Sequence, residues 1–258
     1  MPSLSEHSSS AYTKLLLIGD SGTGKTSACA SLALAGFRLR FLDFDSGLSA
    51  LVQEIKRRDA SKLANVDYET LRDDYKIQGS IMTAGSKAFP AAMKLLDKWS
   101  DGSSPSEWGP ETILVLDSFT RFCDAAFNWA KGMAPAVKDP RQWYGTAQGA
   151  AEDVLAKLTS EDFRTNVIVI SHVAWLERSD GATKGYPSSI GKALSPKIAT
   201  YFDNLALMQT TGSGSNVRRE LRTQPTALID LKNPAAFKML PALPIEEGLS
   251  EFFKTVRS

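Results

Sequence analysis

Gly19-Asp20-Ser21-Gly22-Thr23-Gly24-Lys25-Thr26 follows the pattern of a glycine, four residues, then glycine, lysine and serine or threonine. That spacing suits one task, the cradling of a triphosphate by backbone amides. Gly22 and Gly24 admit backbone angles that other residues resist and let amides come close to phosphate oxygens. Lys25 is placed to reach the β- and γ-phosphates, and the Thr26 hydroxyl to ligate Mg²⁺. The helix that opens at Ser27 adds unpaired N–H groups and a partial positive charge. A plain glycine-rich turn with an exposed lysine is the competing reading, but it explains neither the Lys25-Thr26 pair nor the flanking sequence.

Two carboxylates and an imidazole stand at other strand ends. Ile113-Leu114-Val115-Leu116 runs into Asp117-Ser118. Ligands of open α/β sheets sit at the carboxyl ends of strands, so Asp117 is expected beside the loop, supporting the Mg²⁺ held by Thr26. Phe41-Leu42-Asp43-Phe44-Asp45 offers Asp45 to orient the water of hydrolysis, with Asp43 as the second acid of the pair. The alternative for Asp45 is a cap on the helix that follows. Val167-Ile168-Val169-Ile170 leads to Ser171-His172; a structural histidine is the competing reading, and the strand-end position favours a sensor of the γ-phosphate.

The elements that must carry these residues alternate between strand and helix, which implies a mostly parallel sheet covered on both faces. Strands are expected at 15–18, 38–44, 112–116 and 167–170, and helices at 27–35, 46–56, 91–99 and 143–158. The stretch 61–85 is mixed. Short strands near 204–209, 217–222 and 226–231 close the pattern, joined by turn-rich segments such as Thr211-Gly212-Ser213-Gly214-Ser215-Asn216. At 258 residues and 43 % hydrophobic, the chain suits one α/β domain over 14–258 behind a flexible polar tail at 1–13. No apolar run is long enough for a membrane span, and the serine-rich start is unlike a signal peptide. Cys29 and Cys123 read as reduced core thiols of a cytoplasmic protein. A net charge of +1 excludes a strongly basic coat, so contact with nucleic acid must come from local patches.

This order of parts resembles the RecA-like recombinase core, and most of all its small phage-encoded members, the Sak-type single-strand annealing ATPases of the AAA-family phage nucleotide-binding group. The resemblance spans roughly 14–237 through short motifs. It implies a RecA-like P-loop fold using ATP and Mg²⁺, with Asp45 as catalytic carboxylate, Asp117 at the metal and His172 as sensor. Trp175 to Ile190 falls where a mobile loop contacts single-stranded DNA, and Trp175, Arg178, Lys184, Tyr186 and Lys192 mix aromatic and basic types there. The segment with Trp129, Lys131, Lys138, Arg141 and Trp143 is a second candidate; for each residue in either stretch the competing reading is a tryptophan anchored in the core or a charge on the solvated surface. Lys232, in Leu231 to Phe237, matches the stretch that sends lysines across an interface to a neighbour's ATP. Asp45 is one methylene shorter than the usual glutamate, and Pro234 replaces a second lysine.

The function implied is DNA-stimulated ATP hydrolysis in phage recombination or annealing in the host cytoplasm. The partners would be single-stranded DNA, further copies of the chain in a ring or filament, and a single-strand-binding protein. Two other classes stay open. One is a helicase-like or signalling ATPase on the same core; the other is a nucleotide-gated DNA-binding module with little turnover.

Overall fold

A computed structural model describes residues 11–78, 81–136, 139–178 and 180–258. Residues 1–10 of the expected tail and Lys138 lie outside the described residues. The first half of the chain runs β1 (Lys14–Ile18), α1 (Lys25–Ala28), α2 (Ala30–Leu34), β2 (Arg38–Asp43), α3 (Ser49–Asp59), β3 (Val66–Thr70), β4 (Tyr75–Gln78), β5 (Ile81–Ala84), α4 (Ala88–Asp97) and β6 (Gly109–Asp117). It continues with α5 (Phe119–Met133), α6 (Pro140–Thr159), β7 (Thr165–Ser171), β8 (Val173–Glu177), β9 (Thr183–Pro187) and α7 (Gly191–Ile198). The last elements are β10 (Asn204–Thr211), β11 (Arg218–Arg222), β12 (Ala242–Pro244) and α8 (Gly248–Arg257).

Among the described residues, eight strands form one sheet in the order β12-β11-β10-β1-β7-β6-β2-β3. The pairs from β10 to β3 are parallel, while β11 and β12 run antiparallel at the C-terminal edge. This is the expected α/β class, a mostly parallel sheet with antiparallel strands at its C-terminal edge. Every central strand is apolar on both sides because both faces are covered. Leu16, Ile18, Leu114, Leu116, Val167 and Val169 face one core with α4 to α7. Leu15, Leu17, Ile113, Val115, Ile168 and Ile170 face the other, with α1 to α3 and α8.

Register decides where the chemistry goes. Ile18 pairs with Ser171, Ile170 with Asp117, and Asp117 with Asp43. The carboxyl ends of β1, β7, β6 and β2 are therefore level, and the residues just beyond them meet at one rim.

Three expectations are corrected. The segment after Asp117 is a 15-residue helix, α5, capped by Ser118. Trp129 packs against Phe89 at 4.8 Å between ring centres, and the Trp143 indole N–H donates to the Ala134 carbonyl. The stretch 175–190, read as a mobile loop, begins as the antiparallel hairpin β8–β9, in which Trp175 pairs with Gly185. Its alternating side chains suit a ladder. Thr226 to Leu231 forms no strand among the described residues: the chain turns at Thr226, whose amide donates to the Ile229 carbonyl, and an isolated bridge then pairs Lys232 with Leu205 of β10.

Candidate nucleotide site

β1 delivers the phosphate loop to the rim. A Cβ at Gly19 would lie 2.4 Å from the Met208 carbonyl oxygen, so only glycine lets the loop leave the sheet against β10. Gly24 has φ +91°, and a Cβ there would meet Ile245 Cδ1 at 2.7 Å and Arg219 Cδ at 3.1 Å. The C-terminal strands thus press on the turn into α1, a contact that no local pattern announces. The Thr23 hydroxyl donates to the Asp20 carbonyl at 2.8 Å, closing the loop on itself.

Lys25 is buried, and its ammonium donates to the carbonyls of Gly19 and Asp20 at 2.8 and 2.9 Å. Burial lowers its pKa, while Asp117, Asp45 and Asp20 oppose that shift. Ser27 follows in the first turn. α1 and α2 form one helical run interrupted at Cys29, and Gly36 ends it at φ +100°.

The Thr26 hydroxyl donates to Asp117 Oδ2 at 2.6 Å, joining the loop to β6 across β7. Asp117 is 2 % exposed. Its pKa is pushed up to about 7, first by burial and then by Asp45 and Asp43, against the Thr26 hydrogen bond and Lys25. The following peptide, Asp117-Ser118, is cis. Ser118 then donates to Asp45 Oδ1 at 3.0 Å, so the two carboxylates are linked through one serine.

Asp45 is held from three sides. Besides Ser118, the Arg121 guanidinium Nε lies 4.0 Å from Oδ1, and Arg72 donates to the Asp45 carbonyl at 3.2 Å. Asp43 is buried and faces the turn that follows β2. Its carboxylate accepts from the Gly47 amide at 3.4 Å and from Thr70 at 3.5 Å. Ser46 in that turn has φ +51°, the left-handed region, and Asp43 braces it. Burial raises the Asp43 pKa, with Asp45 adding to it.

His172 is half-buried. Burial, Lys25 and Arg121 lower its pKa, so the imidazole is neutral at pH 7. Its amide donates to the Thr120 hydroxyl at 3.1 Å, and its carbonyl accepts from the Ser188 amide at 2.7 Å. Ser171 Oγ donates to the Ser188 carbonyl at 3.0 Å. The start of α5, the end of β7 and the end of β9 are therefore tied at one polar node.

Loop, Asp117, Asp45 and His172 come together, with Trp175 at the edge of the loop, while Arg178, Lys184 and Lys232 are bonded elsewhere. Trp175 lies on β8 with 46 % of its surface exposed, in a cleft shared with Asp20, Ser21 and Leu228. Lys184 is paired with Asp230 at 2.6 Å and Arg178 with Asp180 at 3.6 Å. Tyr186 is half-buried and Lys192 is exposed on α7. The Lys232 ammonium donates to the carbonyls of Ala199 and Phe202 in its own chain, at 2.7 and 3.1 Å. Sequence reasoning missed Ser118 and Arg121 as partners of Asp45. The signal was present in Asp117-Ser118, with Arg121 three residues further, one helical turn on.

The donors fit a small hard cation. Among the described residues no group of three or more His, Cys, Asp or Glu could hold a metal ion. A hydroxyl and one buried carboxylate, with further acids behind, are what Mg²⁺ takes when water and phosphate supply its other ligands. The raised pKa of Asp117 marks a carboxylate that a cation would stabilise. Cys29 and Cys123 are free and buried, and burial raises both thiols, that of Cys123 to about 12. No described helix is long and apolar enough to cross a membrane.

No curated protein matches the sequence. Among solved structures, a KaiC-like protein from the hyperthermophilic archaeon Pyrococcus horikoshii OT3 is similar at 12 % identity and TM-score 0.40, over 84 % of this chain and 80 % of that one. The flagellar accessory protein FlaH from Methanocaldococcus jannaschii is similar at 11 % identity and TM-score 0.42, over 82 % and 77 %. A type III secretion system ATPase of pathogenic bacteria is similar at 14 % identity and TM-score 0.48, over 77 % of this chain but 52 % of its own. A family profile described as AAA domain matches residues 11–235, from just before β1 through Lys232, and the chain belongs to that family of P-loop ATPases.

Proposed function

We propose that this ATPase binds ATP with Mg²⁺, hydrolyses it, and couples turnover to single-stranded DNA in phage-type annealing or recombination. The 2.6 Å contact of Thr26 with Asp117, with Asp45 tied to the same cluster through Ser118, carries the hydrolytic half. In this reading the loop amides and Lys25 hold the phosphates, and Lys25 exchanges its bonds to Gly19 and Asp20 for phosphate oxygens. Thr26 and Asp117 would hold Mg²⁺, which neutralises phosphate charge when bound. Asp45 orients the attacking water. Neutral His172 donates toward the γ-phosphate and passes its position through Ser188 to the hairpin.

The DNA half rests on Trp175, a half-exposed ring on a hairpin whose base is bonded to His172. The charges of Arg178 and Lys184 are matched by Asp180 and Asp230, so stacking outweighs phosphate neutralisation there. Lys232 keeps its proposed role in a neighbour's site. To reach it, the lysine must release Ala199 and Phe202, which would couple assembly to the end of α7.

Phosphate release measured with and without a thymidine oligonucleotide tests both halves. Stimulation by the oligonucleotide is expected, with Lys25→Ala losing ATP affinity. Unchanged ATP affinity in Lys25→Ala would sink the nucleotide assignment. Turnover without any oligonucleotide binding would leave an ATPase and remove the DNA reading.

A further inference from the structure

Lys232, the cation expected to complete a neighbouring site, is engaged inside its own chain. The rim carries another cation in cis. Arg121 sits in the first turn of α5, where the Ser118 hydroxyl accepts from its backbone amide at 3.4 Å and donates to Asp45 at 3.0 Å. One serine therefore places both the arginine and the carboxylate. The Arg121 side chain is 64 % exposed, with Nε 4.0 Å from Asp45 and Nη1 3.2 Å from Asp124. Exposed pairs of this kind hold weakly and exchange readily. A guanidinium presents a planar fork that matches phosphoryl oxygens, which a carboxylate partner does not exhaust.

Resting on the ATPase reading above, we propose that Arg121 is a catalytic residue of the same chain: it leaves Asp45 for the γ-phosphoryl oxygens as negative charge develops there. The exchange has two effects at once. It stabilises the phosphoryl group in transfer, and it frees the Asp45 carboxylate to face the attacking water. In that step the water oxygen forms a new bond to the γ-phosphorus as the bond to the β,γ-bridging oxygen breaks. The bonding pair leaves with ADP, and the products at neutral pH are ADP, inorganic phosphate and one proton. Interactions made only in the transition state raise kcat and leave ground-state affinity alone.

The test compares wild type with Arg121→Ala, Arg121→Gln and Arg121→Lys, each first shown to melt like wild type. Binding of a fluorescent ATP analogue, capture of ADP with aluminium fluoride, and phosphate release are measured. Arg121→Ala and Arg121→Gln are expected to bind the analogue within about threefold of wild type, lose capture of ADP with aluminium fluoride, and fall at least about 1,000-fold in kcat, the scale of a transition-state arginine. Arg121→Lys should recover part of kcat, and free guanidinium should partly rescue Arg121→Ala. The proposal is overturned if Arg121→Ala keeps kcat within about threefold, or if analogue affinity falls as much as kcat. Wild type that binds neither the analogue nor ADP with aluminium fluoride would instead remove the ATPase reading itself.

Discussion

Asp117 is held near the phosphate loop at a cost to folding. Its carboxyl rises from 3.8 to about 7, chiefly through burial. The folded chain thus binds this proton more tightly than the unfolded chain. Its stabilising effect is complete below about pH 4 and declines as pH rises toward 7. Above that, the full penalty for an ionised buried acid is present, on the order of 4 kcal/mol at about 1.4 kcal/mol per pKa unit. Asp117→Asn removes the charge and keeps the shape. Urea unfolding without nucleotide should show it more stable than wild type at pH 8 and nearly equal to wild type at pH 4. Equal gains at both pH values would contradict the assignment. Asp43 acts differently: buried beneath the turn 45–47, it braces Ser46 and so aims Asp45.

At the scale of elements, the core is closed by α8. Phe252 and Phe253 are fully buried, and Phe253 meets Phe37 edge-on at 5.9 Å. Arg257 ties the end of that helix to Asn166 at 2.6 Å and to the Pro110 carbonyl at 2.8 Å. Phe253→Ala should cost about 3–5 kcal/mol, read from the urea midpoint, because the emptied space is walled by strands that cannot collapse. A loss under about 1 kcal/mol would mean that α8 is not part of the folding unit. The hairpin β8–β9 is a separate case. It seats on Ile229, where a Cβ at Gly185 would come within 2.8 Å, and leaves Trp175 half-exposed. Trp175→Ala is expected to weaken single-stranded DNA binding by about 1–3 kcal/mol, the worth of a stacked base. Trp129→Ala should instead lower the melting temperature, since that ring packs on Phe89. Equal DNA affinity in wild type and Trp175→Ala would exclude the hairpin as the stacking platform.

For the whole molecule, a net charge of +1 provides little self-repulsion against association. If Lys232 completes a neighbour's site, kcat per chain should rise with protein concentration as mass rises in the ATP-bound state. Light scattering and phosphate release over the same dilution series check this. A kcat independent of mass would confine hydrolysis to one chain. Lys232→Ala should also lower the melting temperature by a few degrees, because the carbonyls of Ala199 and Phe202 lose their donor.

The local sequence alone determined the phosphate loop, the acid at the end of β6 and the alternation of strand and helix. Glycine placement, apolar runs and their polar ends act over a few residues, so they are legible without a fold. It also placed Asp45 and His172 at strand ends, and parallel register brought those ends level. What it left undecided depends on contacts between distant segments. α5 was hidden because its apolar face shows only against α4 and α6, and the hairpin read as a loop because its ladder needs both strands. The pressing of Arg219 and Ile245 on Gly24, the approach of Asp45 to Ser118 and Arg121, and the capture of Lys232 by Ala199 and Phe202 were set by tertiary structure. Each joins side chains whose neighbours in space are not their neighbours in sequence, and no short-range pattern encodes such a meeting.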